Sequence, residues 1–384
     1  MDNIWNKIKK RLFESRGIAT IGIADICGNG IAAIFWFYIA ALVGADHYGQ
    51  ISYFLAVAGI VSSLSLVGAS NTLYVYTAKN VKIHSTIYLI SLSAVAFSSI
   101  VLFAIFHNPG LSIITIGYVI YALSVYGLLG SKSYKDYTKY IITQKILMII
   151  LAVGLYYLIG INGIILGIGL SLLPYASRLY KGFKEQKIDF AIIKERSAFV
   201  IDNYFLDISN SFLSSVDKII IAPLLGFLIL GNYQLAIQFL TAMYIIPNIF
   251  YKYFLPQEAS GTSTKNLKKW AIISSILLAI AGITLSPLVL PIIFPKFTHA
   301  VTILQIVSVA VIPNTINLTF ISKFLSIEKS RMVLAGSVLF VVVQVIAIII
   351  LGKLYGITGV AIALVLAESI QTVFFASLNR LSKL

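Results

Sequence analysis

A series of polar residues at helical spacing interrupts one long apolar segment of the chain. Intervals of three or four residues separate Asn203, Asp207, Ser211, Ser214 and Lys218. Because an α-helix turns once in about 3.6 residues, these intervals place the side chains on one face of a helix. Such a face can bind a polar headgroup or exchange an ion. The alternative is that Lys218 only neutralises Asp207 or the neighbouring Asp217, and that hydroxyl and amide groups join helices by hydrogen bonds.

The next apolar segment carries a second polar series. Its members are Gln234, Gln238, Thr241, Asn248 and Lys252. Two neighbouring helices with hydrophilic faces favour a water-filled cavity over surfaces that face lipid. We therefore predict that both series line a cavity.

The first apolar segment supplies two more cavity candidates, Asp25 and Asn29. Asp25 lies eight residues into this segment and Asp207 nine residues into its own, which is roughly 12 to 14 Å at about 1.5 Å per residue. A charge at the bilayer centre costs at least about 2.5 to 3.5 kcal/mol, so each carboxylate should face a cavity or a partner. Glu368, in the last apolar segment, is a similar candidate with no partner visible in the sequence.

The composition is that of a membrane protein. Hydrophobic residues make up 59% of the 384 positions and charged residues 11%, and the mean hydropathy is +0.94. A water-soluble domain has far more polar surface than this. The net charge of +15 comes from basic residues in short loops, which leaves no basic face on a soluble domain for nucleic acid. We expect a lipid environment and no nucleic-acid partner.

The sequence shows no signature of enzymatic or metal chemistry. Cys27 is the only cysteine and the four histidines are scattered, so their spacing predicts neither a disulfide nor a metal site. A phosphate-binding loop and an H-E-x-x-H motif are both missing. We therefore predict a protein that is not an enzyme and that carries no cofactor.

Twelve apolar runs of membrane-spanning length follow one another. They cover residues 17–43, 49–76, 84–106, 111–130, 140–159 and 161–180, and then residues 198–224, 229–251, 268–294, 299–322, 332–351 and 357–379. Loops on one side of the membrane hold most of the lysine and arginine residues, whereas the loops on the other side hold only Lys296 and Lys353. The positive-inside rule then predicts that both termini are cytoplasmic.

Glycine motifs indicate that the chain is an internal repeat. Gly49 corresponds to Gly231, and the loop that begins at Gly160 corresponds to the loop that begins at Gly356. The same shift that aligns Gly49 with Gly231 aligns Asp25 with Asp207. We predict two pseudo-symmetric six-helix bundles, residues 17–196 and 197–384, related by an axis along the membrane normal.

Residues 1–16 precede the first span. In this segment apolar residues repeat at helical spacing among lysines and an arginine, which is typical of an amphipathic helix on the cytoplasmic leaflet. A disordered basic leader is the alternative.

Three stretches resemble one family of transporters. Residues 42–50, the stretch from Ser214 to Gly226, and the paired loops at Gly160 and Gly356 resemble polysaccharide flippases of the O-antigen transporter type. These flippases are part of the multidrug/oligosaccharidyl-lipid/polysaccharide exporter superfamily. The resemblance implies a fold shared with multidrug and toxin extruders (MATE), in which two six-helix bundles surround a cavity lined by the first, second, seventh and eighth helices.

The resemblance also implies a substrate. It would be an oligosaccharide on polyprenyl pyrophosphate, moved across the bacterial cytoplasmic (inner) membrane during O-antigen, lipopolysaccharide or related polysaccharide biosynthesis, in contact with membrane lipid and other polysaccharide-assembly membrane proteins. Lys218 and Lys252 would attract the pyrophosphate. Asp25 and Asp207 would bind sugars or exchange a proton or sodium ion.

Two alternatives to the flippase stay open. A multidrug or cation extruder shares the fold and would suit the acidic residues Asp25, Asp207 and Asp217. An integral-membrane polysaccharide polymerase or ligase would be expected to carry a large external loop with basic residues, whereas the outer loops predicted here are short.

Overall fold

The computed structural model describes residue 22 and residues 27–381, and this part of the chain is helical without strands. The helices of the first half are α1 (Cys27–Val43), α2 (Ala45–Leu66), α3 (Ala69–Ala78), α4 (His84–Phe106), α5 (Pro109–Gly130), α6 (Tyr134–Ile159), α7 (Ile161–Leu172), α8 (Ala176–Glu185) and α9 (Phe190–Glu195). Those of the second half are α10 (Ser197–Leu225), α11 (Phe227–Met243), α12 (Ile245–Ala259), α13 (Lys265–Ile293), α14 (Ala300–Ser308), α15 (Val311–Ser326) and α16 (Ser330–Leu381).

The helices account for the predicted spans. Within the described residues, nine helical segments are long and apolar enough to cross a membrane, and α11 with α12 form a tenth span bent by 41°. Two of the nine, Ile161–Glu185 and Ala300–Ser326, each combine consecutive helices. The 52-residue α16 is two helices joined at Gly356, where the backbone is not helical, and α1 is a shorter apolar helix. Each of the twelve predicted runs is thus largely helical where it is described, the first from residue 27 onward. Asp25 and the predicted leader, residues 1–16, lie outside the described residues.

Several spans are broken, which hydropathy alone does not reveal. The second span divides into α2 and α3 at Val67 and Gly68, which have φ angles of 50° and 73°. A Cβ atom at Gly68 would collide with the backbone of α10 at Val200 and Tyr204. Glycine is therefore required twice here, for the positive φ angle and for the close approach.

Equivalent helical hairpins end the two halves. Gly160 and Gly356 both turn the chain with positive φ angles, 73° and 58°. Three residues later, Gly163 and Gly359 lie against the backbone of the residue eight positions earlier in the sequence. The absence of a side chain lets the two helices of each hairpin touch. This shared geometry supports the repeat inferred from the glycine motifs.

The chain packs as two compact units. The first contains residues 27–36 and Phe54–Ser215, and the second contains Phe37–Tyr53 and the described residues from Val216 onward. The division passes through α1, α2 and α10, because these units are defined by packing and not by chain order. The sequence-based boundary between residues 196 and 197 describes the repeat and stays a prediction.

Gly49 and Gly231 meet inside the second unit. A Cβ atom at Gly49 would collide with the carbonyl oxygen of Phe227, and one at Gly231 would collide with that of Ala45. Ala45 precedes Gly49 by four residues, as Phe227 precedes Gly231, so the contact is reciprocal. This reciprocity is what a two-fold pseudo-symmetry axis between α2 and α11 produces.

Candidate functional site

The polar residues of α10 are divided between two clusters, one in each unit. Asn203 and Asp207 belong to the first unit, whereas Asp217 and Lys218 belong to the second. The residue spacing predicted that Asn203, Asp207 and Lys218 share one continuous face. The structure keeps the helix continuous but gives its two ends different neighbours.

The first cluster, named the α3 cluster, comprises Ser63, Ser70, Asn71, Asn203 and Asp207. Asn71 Nδ2 donates a hydrogen bond of 2.9 Å to Asn203 Oδ1, and Asn203 Nδ2 donates to a carbonyl oxygen of its own helix. Ser63 Oγ donates to the backbone carbonyl of Asp207 at 2.9 Å. These bonds join α10 to both parts of the broken second span.

The Asp207 carboxylate lies at the start of α3. It interacts with the backbone and side chain of Ser70, in the first turn of that helix. Gly68 precedes α3 without a capping side chain, so the positive end of the helix is available to a carboxylate. The Oδ2 atom of Asp207 is buried and has no hydrogen-bond partner within residues 27–381. That atom can accept a hydrogen bond from a ligand hydroxyl or bind a cation.

The second cluster, named the Asp217 cluster, comprises Asp217, Lys218, Tyr233 and Gln344. Lys218 Nζ lies 3.2 Å from Asp217 Oδ1, and the two side chains are 16% and 11% exposed. Tyr233 donates its hydroxyl proton to Asp217 Oδ2 at 3.2 Å, and the Gln344 side chain hydrogen-bonds Tyr233. Both carboxylate oxygens of Asp217 are therefore occupied. Lys218 pairs with Asp217, as the alternative interpretation of the sequence had it.

The second polar series does not lie on one straight face. α11 carries Gln234 and Gln238, whereas Lys252 lies on α12 beyond the 41° bend. Gln234 Oε1 is buried without a hydrogen-bond partner in the described part of the chain. Lys252 is exposed.

The other predicted cavity residues are half-buried or exposed and belong to neither cluster. On α10, Ser211 is half-buried and Ser214 is exposed, with the Ser214 hydroxyl donating to the Ser211 carbonyl at 2.9 Å. Asn29 on α1 is exposed. Within residues 27–381 no three histidine, cysteine or acidic side chains are grouped so that they could hold a metal ion.

Sequence reasoning missed the α2 and α3 contributions to the α3 cluster. Ser63, Ser70 and Asn71 lie within a predicted span and have no periodic polar pattern. The one usable signal was Gly68 in front of two polar residues of an apolar run.

Comparison with known proteins shows what the fold is similar to. No protein-family model and no curated protein matches the chain. Among solved structures, lipid II flippase MurJ in an inward closed conformation has a TM-score of 0.74 at 16% identity, over 94% of this chain and 87% of that one. An inward-facing MATE family multidrug resistance transporter of the MOP superfamily has a TM-score of 0.65 at 13% identity, over 95% and 98%. This chain has a MATE-like membrane fold.

A third neighbour has the same fold. A MOP superfamily transporter from Pyrococcus furiosus has a TM-score of 0.58 at 12% identity, over 95% of each chain. The expected fold class, an all-α integral membrane protein with a MATE-like fold, is confirmed. The division into two six-helix halves stays a prediction.

Proposed function

We propose that this protein is a flippase that moves a polyprenyl-pyrophosphate-linked oligosaccharide across the bacterial cytoplasmic membrane by alternating access. The α3 cluster carries the proposal. It places amides, hydroxyls and a carboxylate within an apolar helical bundle, and one buried oxygen of that carboxylate has no hydrogen-bond partner among residues 27–381. The fold is similar to a structure described as a lipid II flippase. The motifs that resemble O-antigen flippases favour an O-antigen or related surface polysaccharide repeat unit.

A polar headgroup cannot cross the hydrocarbon layer unless the protein supplies hydrogen-bond partners, and the α3 cluster supplies such groups. Each uncompensated hydroxyl that enters hydrocarbon costs roughly 2 to 7 kcal/mol, whereas a polyprenyl tail is already soluble in lipid. The protein has to offer hydrogen-bonding groups to the head and leave the tail in the membrane. No covalent bond is made or broken in this process.

The residues proposed to meet the headgroup are those predicted from the sequence. They are Asp25, Asn29, Asn203, Asp207, Ser211, Ser214, Asp217, Lys218, Gln234, Gln238 and Lys252. The exposed ammonium of Lys252 suits the pyrophosphate. In this structure Lys218 pairs with Asp217, so the proposed roles of these two residues at the headgroup are the ones that most need a test.

An exchange at Asp207 tests the proposal against a matched control on the same helix. Deleting the gene should abolish surface polysaccharide and leave lipid-linked repeat units facing the cytoplasm. The wild-type gene and an Asp202→Asn variant should restore the polysaccharide, because Asp202 is exposed. Asp207→Asn should restore at least about tenfold less surface polysaccharide than the wild-type gene, which corresponds to a loss of about 1.4 kcal/mol of interaction with the headgroup. Equal restoration by both variants would remove Asp207 from the site.

A multidrug or cation extruder is the second candidate. It is favoured by Asp207 Oδ2, which lacks a hydrogen-bond partner in the described part of the chain and suits a cationic ligand, and by the similarity to MATE transporter structures. The same deletion separates the two functions. Normal polysaccharide with increased sensitivity to cationic dyes would establish the extruder and overturn the flippase.

The orientation in the membrane is also a proposal. Positive loops place both termini, Asp189 and Lys265 in the cytoplasm, with Ala45 outside. Cysteine labelling checks this after replacement of Cys27, which is exposed. An introduced cysteine at position 46, which is next to Ala45 and exposed, should react with an impermeant maleimide in intact cells. One at position 189, which is also exposed, should not. The reverse pattern would invert the topology.

A further inference from the structure

Glu368 lies in the second segment of α16 and takes no part in the clusters described above. Its side chain is buried, with the residue 5% exposed, and it faces two asparagines of α15. Asn314 Nδ2 donates to Glu368 Oε1 at 3.0 Å, and Asn317 Nδ2 donates to Glu368 Oε2 at 2.9 Å. Both carboxylate oxygens therefore accept hydrogen bonds from neutral amides.

The two asparagines are held differently. Asn317 Nδ2 also donates to Gln371 Oε1 at 3.0 Å, and its Oδ1 accepts a bond of 2.7 Å from Thr372. A rotation of its amide would break several bonds at once. The Asn314 amide bonds only Glu368 within residues 27–381. A rotation of 180° about the Cβ–Cγ bond of Asn314 would turn its carbonyl oxygen, in place of its N–H group, toward Glu368. No other hydrogen bond of this side chain within residues 27–381 would be broken.

The described residues provide no cation to neutralise Glu368. Of the helices packed against α16, α14 carries no titratable side chain. Lys323 of α15 bonds Asn379 at 2.8 Å, and Tyr233 of α11 bonds Asp217. The first segment of α16 has charged residues only near its two ends.

Tyr244, at the junction of α11 and α12, is the remaining titratable group near the carboxylate. It interacts electrostatically with Glu368, and its hydroxyl is buried without a hydrogen-bond partner in the described residues. A phenol is neutral and cannot balance the charge of a carboxylate. An unpaired buried charge is costly within a membrane, which makes this carboxylate a candidate for neutralisation by a mobile cation.

We propose that Glu368 is a proton-binding site and that Asn314 is the amide that turns over when the proton arrives. A proton from water bonds to Glu368 Oε1, and the new O–H group donates to Asn314 Oδ1 after the amide has rotated. Asn317 keeps its donor on Oε2 in both states. A metal cation fits less well, because it needs several oxygen ligands while amide N–H groups point at both carboxylate oxygens.

As a driving site, Glu368 rests on the proposed transport function, because proton uptake and release would power the movement of the head. As a binding site it does not depend on the substrate. The two claims can therefore fail separately.

The binding claim is tested on the purified full-length protein with protons as the probe. Infrared difference spectra between mildly acidic and mildly alkaline buffer should show the carbonyl band of a protonated carboxyl group. Glu368→Gln, which keeps the size and bonds to both asparagines, should lose that band. Glu328→Gln should keep it, because Glu328 is exposed outside the cluster. A band that is unchanged in Glu368→Gln would overturn the proposal.

A second variant keeps the test decisive if the spectra are crowded. Asn314→Leu removes the amide that turns over and should shift the pH midpoint of the Glu368 band. Asn314→Gln should move it less, because the longer side chain retains both a donor and an acceptor. If both variants keep the wild-type pH midpoint, Asn314 takes no part in proton binding. If the band changes when sodium is added at constant pH, the site binds sodium and the proposal of a proton site is wrong.

The driving claim is tested in the deletion strain. Under the flippase proposal, Glu368→Gln should insert normally and lose most of its ability to restore surface polysaccharide. Full restoration by Glu368→Gln, together with loss of the infrared band, would leave a proton site that does not drive transport. Failure of even the wild-type gene to affect polysaccharide would reject the flippase and leave the proton site standing.

Discussion

Asp207 and Asp217 lie on one helix, yet their carboxylates have opposite surroundings. Asp217 is bonded by Lys218 and Tyr233, so that both of its oxygens are used. Asp207 has Ser70 and the start of α3 beside it and keeps one buried oxygen without a partner in the described residues. In this structure Asp217 is held by the other members of its cluster, whereas Asp207 keeps an oxygen that the proposed headgroup can bond. Two acidic residues of one helix can thus have different surroundings because their tertiary partners differ.

Removing Lys218 should have the largest effect on stability. Lys218→Ala leaves Asp217 buried without its counter-charge, and breaking a buried ion pair from one side costs about 3 to 5 kcal/mol. We expect a lower yield and a lower unfolding temperature in detergent, and at least partial function for Lys218→Arg. Adding Asp217→Asn to Lys218→Ala removes the stranded charge and should recover most of the stability.

The same double variant separates the two roles of Lys218. If Lys218 contacts pyrophosphate, the stable double variant still fails to restore surface polysaccharide. Restored transport would mean that Lys218 is structural. Its role would then be to neutralise Asp217, with no contact to the substrate.

Altering Gly68 should have the next largest effect, now on the α3 cluster. Gly68→Ala places a side chain at a φ angle of 73°, which costs about 1 to 3 kcal/mol, and pushes it against α10. We expect reduced thermal stability and reduced transport, because the start of α3 moves away from Asp207. Gly154→Ala is the control, since a Cβ atom there meets nothing within 4 Å. If the two variants behave alike, the helix break does not position Asp207.

Tyr233→Phe should have the smallest effect. It removes one hydrogen bond from Asp217 while Lys218 remains, which costs about 0.5 to 1.5 kcal/mol. The unfolding temperature should fall slightly and transport should be retained. Loss of transport with unchanged stability would place Tyr233 at the substrate and would contradict the structural role of the Asp217 cluster.

The site was only partly predictable from the sequence. The periodicity of α10 predicted that Asn203 and Asp207 share a face, because helical spacing is a local property. Periodicity could not reveal that Asn203 bonds Asn71 across 132 positions of chain. Gln234 and Lys252 were likewise assigned to one face because the sequence does not mark the bend that separates them.

The sequence by itself determined the helical class, the succession of spans and the repeat. Long apolar runs in a chain of this composition leave helices as the way to satisfy the backbone, and the glycines at positions 160 and 356 mark equivalent turns. Tertiary structure decided the helix breaks, the division of α10 between two units, the pairing of Lys218 with Asp217 and the amides around Glu368. Asn314 and Glu368 are 54 positions apart. Contacts of this kind depend on how helices pack, which no local pattern of residues encodes.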